Sequence, residues 1–146
     1  MFKSVLMVCV GNICRSPMAE ALLKAYCMER GLRVSIDSAG IGALVDHPAD
    51  DAVVALMQQK NIDMSGHRAK QVNAALIADY ELILVMEQGH IQALVQMQPQ
   101  ARGRVHLLGK WNEQEEISDP YQKSQAHFVA ALSAIERNII LWGAYL

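Results

Sequence analysis

An apolar segment near the start of the chain runs directly into a short loop and then into a helix start. Lys3 to Val8 predicts a buried β-strand, and Ser16-Pro17 is typical of the first positions of a helix. Strands that end at helix N-termini build parallel α/β sheets, in which ligands bind at the carboxyl ends of the strands. The opening of the chain therefore favours an α/β fold with a site after the first strand.

The same alternation of strand and helix patterns continues along the whole chain. Further strands are predicted at Arg33 to Asp37, Leu82 to Val85 and Val105 to Leu108, and a loop is expected from Ser38 to His47. Five helices are predicted: from the first loop to Gly31, after Asp50-Asp51, over Gln71 to Ile77, over Glu87 to Gln96, and from Ser124 onward. In the last helix, the apolar side chains expected to face the sheet are Phe128, Leu132, Ile135, Ile139 and Trp142. We therefore predict one domain over residues 1–146, a three-layer sandwich with a four-stranded parallel sheet and helices on both faces.

Composition narrows the class of protein. The 146 residues are 52% apolar and carry a formal net charge of −2, which suits one domain with a proper core. The 13 basic residues form no polybasic run, so no nucleic-acid partner is expected, and no apolar stretch approaches the roughly 20 residues of a membrane span. The three cysteines suit reduced thiols, and we expect a cytoplasmic protein.

The loop after the first strand carries a cysteine and an arginine six positions apart. The backbone N–H groups from Val10 to Cys14 and the positive end of the following helix dipole predict a cradle for a dianion, without a metal or cofactor. Gly11 is expected to supply the unusual backbone dihedrals. Cysteines beside a cation at a helix N-terminus are stronger acids than free cysteine, which predicts an ionised Cys9, and the planar fork of Arg15 suits two phosphate oxygens. The alternative is a small buried Cys9 and a solvated Arg15.

A nucleophilic thiolate beneath a phosphate ester requires an acid for the leaving oxygen. Asp119, restrained by Pro120, is a candidate for this general acid and for the base that later activates water. An ordinary Asp-Pro turn is the alternative.

A second acidic group lies before the second helix. Asp46, His47, Asp50 and Asp51 have the side chains of a metal site, but helix capping explains the same composition and is favoured.

Four segments together resemble the low-molecular-weight protein tyrosine phosphatases. They are the loop Cys9 to Ser16, the segment Asp37-Ser38-Ala39-Gly40, the segment Gly66 to Val72, and Asp119-Pro120-Tyr121. The resemblance implies that Cys9 is the nucleophile, Arg15 the phosphate ligand and Asp119 the general acid. It also implies that Ser16 hydrogen-bonds the thiolate and that the loop shape is supported by Asn12, Ser38 and His67.

The substrate pocket is expected to have apolar walls that suit a flat aromatic ring, formed by Ile13, Leu44 and Tyr121. Relatives that act on phosphoarginine tend to carry threonine at the position of Ile13, so the resemblance favours phosphotyrosine. The loop around Leu44 is similar to that of a bacterial subgroup associated with exopolysaccharide and capsule. That likeness implies, as partner, the tyrosine-rich tail of a bacterial tyrosine autokinase.

Three other functions remain open from the residues. An arsenate reductase of the same architecture would pass oxidation to later cysteines, but no cysteine follows Cys27. A phosphoarginine phosphatase and a noncatalytic binding module could use the same anion cradle. Cys14 lies close enough in sequence to trap an oxidised Cys9 as a disulfide, or it is simply a small core residue.

Overall fold

The computed structural model describes residues 1–146 and contains one sheet of four parallel strands in the order β2-β1-β3-β4. The strands are β1 (Ser4–Cys9), β2 (Ser35–Gly40), β3 (Leu82–Val85) and β4 (Val105–Leu107). The helices are α1 (Arg15–Glu29), α2 (Asp51–Gln58), α3 (Ala74–Ala78), α4 (Gln88–Met97) and α5 (Gln125–Trp142), with 3₁₀ turns at Pro99–Arg104 and Gly143–Tyr145. None of the helices combines the length and apolar character needed to cross a membrane.

Both faces of the sheet are buried, which is why its central strands are continuous apolar runs. Along β1, Val5 and Met7 join a core with α1, α2 and α5, whereas Leu6 and Val8 join a second core with α3 and α4. The predicted three-layer, single-domain α/β fold is confirmed. Because β1 and β3 are adjacent and parallel, their carboxyl ends lie side by side at the same end of the sheet.

Two predictions about helices are also confirmed. The carboxylate of Asp50 accepts a hydrogen bond from the N–H of Ala52 at 2.9 Å, so it caps α2 as expected. The predicted inward stripe of α5 is buried, and the indole N–H at its end donates to the carbonyl of Leu108 at 2.8 Å. This bond fixes α5 against the end of β4.

The prediction that β2 ends at Asp37 is wrong, because the strand continues to Gly40. Its last residues pair with β1 in register, with Gly40 opposite Cys9. Small side chains at Ser38 and Ala39 allow the strand to continue beside the loop that follows β1. The segment predicted as the start of a loop therefore belongs to the sheet.

The predicted helix from Gln71 to Ile77 is also displaced, since α3 begins only at Ala74. The N–H of Val72 donates to the carbonyl of Gly40 at 2.9 Å, so Gln71 and Val72 are extended beside the sheet edge. The side chain of Asn73 then caps the helix by accepting the N–H of Leu76. Backbone pairing at the edge of β2 overrides the helical pattern.

Candidate active site

The loop between β1 and α1 has its carbonyl groups bound on the outside. Every carbonyl from Cys9 to Ile13 accepts a hydrogen bond of 2.6 to 3.1 Å, in chain order from Ile41, Gly42, Leu44, His67 and Asp50. Each trans peptide points its C=O and the next N–H in opposite directions. The five N–H groups from Val10 to Cys14 therefore point toward the inside of the loop.

None of these five N–H groups donates a hydrogen bond to another atom of the protein. They surround the space before the N-terminus of α1, where the helix dipole is positive. Converging N–H groups at a helix N-terminus bind anions such as phosphate. The loop therefore has the geometry of a backbone cradle for an anion.

Asn12 holds the loop in this shape, and Gly11 does not adopt the unusual conformation expected of it. The left-handed residue is Asn12, with φ 58°. Its fully buried side chain donates to the hydroxyls of Ser16 at 2.8 Å and Ser38 at 3.0 Å, and accepts the N–H of Lys70 at 3.0 Å. Asparagine tolerates this conformation better than most residues, so one residue supplies both the turn and its anchors.

Two further side chains complete this support. The ring Nε2–H of His67 donates to the carbonyl of Asn12 at 2.6 Å, and the hydroxyl of Ser38 donates to the carboxylate of Glu20 at 2.6 Å. The resemblance placed Asn12, Ser38 and His67 in one network, and they lie together behind the loop.

The Cys9 sulfur lies 2.8 Å from the hydroxyl oxygen of Ser16. Asn12 donates to that oxygen, so the hydroxyl proton of Ser16 has two acceptors within reach, the sulfur at 2.8 Å and the Ala39 carbonyl at 3.5 Å, of which the sulfur is the nearer. A hydrogen bond of this kind stabilises a sulfur anion. By contrast, burial, followed by the charge of the Asp50 and Asp119 carboxylates, raises the pKa of the Cys14 thiol well above its ordinary value. Burial thus favours the neutral thiol of Cys14, and Cys9 is the cysteine of this loop with a hydroxyl beside its sulfur.

Arg15 is buried at the first position of α1, with 1% of its surface exposed. Its Nη1 donates to the Glu87 carboxylate at 2.5 Å and to the Ile117 carbonyl at 2.7 Å, and its Nη2 lies 3.5 Å from the Asp119 carboxylate. These acceptors explain how a cation can be buried at the positive end of a helix. The sequence patterns do not single out Glu87, although its place just after β3 is a position where sites form in such sheets.

Asp119 lies on the irregular segment between β4 and α5. The N–H of Ile117 donates to the Met86 carbonyl at 2.9 Å, which ties this segment to the end of β3. The Asp119 carboxylate accepts the N–H of Tyr121 at 3.1 Å and is 44% exposed. It is therefore held next to Arg15 yet reached by solvent, as a group that exchanges protons must be.

These groups meet in a cleft of about 200 Å³. Of the predicted site residues, those that line it are Cys9, Val10, Gly11, Ile13, Cys14, Arg15, Leu44, Asp119 and Tyr121. Asn12, Ser16, Ser38 and His67 lie behind it. Apolar side chains from Ile13, Leu44 and Tyr121 form its walls, and thiol, guanidinium and carboxylate form its base.

Gly40 is a further residue on which the site depends. A Cβ atom at this position would overlap the carbonyl oxygen of Val10 and lie 3.1 Å from the backbone nitrogen of Asn12. The end of β2 thus requires glycine because the cradle lies directly against it.

Comparison with known proteins relates the chain to one family of phosphatases over almost its whole length. The family model for low molecular weight phosphotyrosine protein phosphatase matches residues 4–146. The chain is 43% identical over 146 residues to the low molecular weight protein-tyrosine-phosphatase Wzb of Escherichia coli K12, covering 100% of this chain and 97% of that protein. Both chains align almost from end to end.

Solved structures are similar over the same length. Vibrio vulnificus Wzb in complex with benzylphosphonate superposes with a TM-score of 0.93 at 39% identity, covering 100% of both chains. YwlE arginine phosphatase of Bacillus subtilis, as a mutant with a phosphorylated active-site serine, gives a TM-score of 0.93 at 27% identity over 98% of this chain and 95% of that one. The match in sequence, fold and loop is sufficient to assign the chain to the low molecular weight phosphotyrosine protein phosphatase family.

Proposed function

We propose that this protein hydrolyses phosphotyrosine in proteins through a phosphocysteine intermediate. The observation that carries the proposal is a single cleft in which the Cys9 sulfur, five unpartnered N–H groups, Arg15 and Asp119 converge. The cradle and Arg15 bind the phosphate dianion, and the sulfur at its base is positioned to attack phosphorus.

In the first step, the electron pair of the Cys9 thiolate forms a sulfur–phosphorus bond as the bond from phosphorus to the tyrosine oxygen breaks. The protonated Asp119 carboxyl donates its proton to that leaving oxygen, and neutral tyrosine departs. Arg15 and the N–H groups stabilise the charge on the equatorial phosphate oxygens, which is the main source of catalysis in phosphoryl transfer.

In the second step, the ionised Asp119 accepts a proton from water as the water oxygen attacks phosphorus. The sulfur–phosphorus bond breaks, inorganic phosphate forms, and the thiolate is regenerated with its hydrogen bond from Ser16. One carboxyl thus acts first as acid and then as base. The relative YwlE, whose mutant carries a phosphorylated active-site serine, supports a covalent intermediate at this position.

The shape of the cleft supports phosphotyrosine as the substrate rather than phosphoarginine. Ile13 presents a purely apolar side chain, and with Leu44 and Tyr121 it makes an apolar entrance suited to an aromatic ring. We expect efficient hydrolysis of a phosphotyrosine peptide and little release of phosphate from a phosphoarginine peptide of the same sequence. Equal rates on the two peptides would remove this preference.

The partner we propose is the tyrosine-rich tail of a bacterial tyrosine autokinase that controls capsule or exopolysaccharide production. Support comes from the loop around Leu44 and from relatives named Wzb, which belong to bacteria. We also propose the cytoplasm as its compartment, where Cys9 stays reduced. A Cys9→Ser variant used as a trap in a cell extract is expected to retain such a kinase, identified by mass spectrometry. Retention of unrelated phosphoproteins alone would refute this partner.

The activity itself is tested with p-nitrophenyl phosphate at mildly acidic pH in the presence of a chelator. We expect turnover by the parent protein and none by Cys9→Ser, which should still bind inorganic phosphate because the cradle is intact. Phosphate binding without any turnover by the parent would favour a noncatalytic module. Arsenate-dependent oxidation of thioredoxin would instead favour a reductase.

A further inference from the structure

The hydrogen bonds of Arg15 divide its guanidinium into two parts. Both N–H groups of Nη1 are used, one by the Glu87 carboxylate and one by the Ile117 carbonyl. Nε and Nη2 donate no hydrogen bond to the protein, although Nη2 lies near Asp119. The Nε–Nη2 edge is the part of the fork that remains for two oxygens of one phosphate.

Glu87 is itself held by His90 on the first turn of α4. The Glu87 N–H donates to His90 Nδ1 at 3.2 Å, and His90 Nε2 lies 3.7 Å from the Glu87 carboxylate. Burial and the nearby Arg15 lower the pKa of His90. The ring is therefore neutral near pH 7, accepts at Nδ1, and directs its Nε2–H toward the carboxylate. His90 thus holds the Glu87 backbone by a hydrogen bond, and its ring lies beside the Glu87 carboxylate at a distance too long for a second one.

We propose that Glu87, oriented by His90, is the positioning residue of the phosphate clamp, and that its charge limits how tightly the site holds phosphate. This inference rests on the proposed phosphatase function. Glu87 engages Nη1 at 2.5 Å together with the Ile117 carbonyl, and so leaves the Nε–Nη2 edge of the guanidinium for the phosphate. A misplaced reacting or stabilising group costs on the order of 100-fold in rate.

The charge of Glu87 has a separate effect. Its carboxylate partly neutralises Arg15, so a bound phosphate dianion meets a weaker positive field than Arg15 alone would give. The same carboxylate lies near the dianion and repels it. Both effects weaken the binding of product phosphate and so favour its release.

Two substitutions separate orientation from charge. Glu87→Gln keeps an oxygen that accepts from Nη1 but removes the charge, whereas Glu87→Ala removes both. Glu116→Gln is the matched control, because it removes a carboxylate that accepts only the N–H of Gln88 and does not contact Arg15. Inorganic phosphate binding is measured by calorimetry, kcat with p-nitrophenyl phosphate, and stability by thermal unfolding.

Glu87→Gln is expected to bind phosphate about three- to tenfold more tightly than the parent, with kcat within a few-fold of it. Glu87→Ala is expected to lose on the order of 100-fold in kcat. Glu116→Gln should leave both quantities near the parent values. A purely structural Glu87 would change the unfolding temperature without tightening phosphate binding.

Equal losses of kcat in Glu87→Gln and Glu87→Ala would overturn the positioning role. Phosphate affinity in Glu87→Gln equal to that in Glu116→Gln would overturn the role of the charge. Calorimetry requires no turnover, so a parent protein that binds phosphate and fails to hydrolyse esters would count against the phosphatase function alone.

Discussion

Replacing Asn12 by alanine tests how strongly one side chain holds the anion cradle. The substitution removes two hydrogen bonds to the hydroxyls of Ser16 and Ser38, and it leaves the backbone N–H of Lys70 without its acceptor. It also places an alanine at φ 58°, in the left-handed region that asparagine tolerates better.

The expected cost follows from these four changes. Each lost hydrogen bond contributes about 0.5–1.5 kcal/mol, an unsatisfied buried donor costs about 1–3 kcal/mol, and the left-handed alanine costs about 1–2 kcal/mol. Together these contributions lower the free energy of unfolding of Asn12→Ala by about 3–8 kcal/mol, and we expect a value in the lower half of that range where water can reach the Lys70 N–H. This is a large share of the roughly 5–15 kcal/mol that stabilises a typical domain.

Urea unfolding followed by circular dichroism measures this loss, provided that parent and variant have the same dependence on urea. Asn12→Gly is the matched control, because it loses the same hydrogen bonds without the backbone strain and should be about 1 kcal/mol more stable than Asn12→Ala. A loss below about 1 kcal/mol in Asn12→Ala would refute the reasoning, since the hydrogen bonds named here would then contribute little to stability.

Three further predictions concern individual groups of the site. Asp119→Asn should slow hydrolysis of esters with poor leaving groups far more than of p-nitrophenyl phosphate, and an equal loss across a series of leaving groups would remove Asp119 from the acid role. Gly40→Ala should lower kcat/KM on the order of 100-fold, because its Cβ displaces the loop at Val10, and near-parental kinetics would show that the loop tolerates the overlap. After inactivation by peroxide, the parent should recover with dithiothreitol more completely than Cys14→Ala, if Cys14 traps oxidised Cys9 as a disulfide; equal recovery would assign Cys14 to the core alone.

The sheet could be predicted from the sequence because its strands are nearly uniform apolar runs. Leu82 to Val85 has the predicted bounds, and the helical stripe of α5 is buried as expected. These patterns depend only on which side chains of a segment are removed from water, and the residues of that segment alone are enough to show them.

The errors lie where backbone contacts between distant segments decide the conformation. Ser38 to Gly40 has a loop composition but pairs with β1, and Gln71 pairs with Gly40 instead of starting a helix. Glycine adopts a left-handed backbone most easily, so the sequence favours Gly11 for that conformation. The left-handed residue is instead Asn12, because its side chain forms three hydrogen bonds there.

The candidate site could be predicted only in part for the same reason. The spacing from Cys9 to Arg15 indicates an anion cradle because all of its parts lie in one loop. Asp119 requires the resemblance to a family, since an Asp-Pro pair is usually a turn. Glu87 contacts Arg15 across 72 positions of the chain, and no local pattern indicates that contact.

The central claim is that the Cys9 sulfur takes the phosphoryl group from the substrate. The most direct measurement is an acid quench of Asp119→Asn during turnover of p-nitrophenyl phosphate, followed by mass spectrometry of its peptides. Slower hydrolysis of the intermediate in this variant should allow it to accumulate. We expect one phosphoryl group on Cys9 and none at position 9 of the Cys9→Ala, Asp119→Asn double variant; p-nitrophenol release without a phosphorylated Cys9 would contradict the claim.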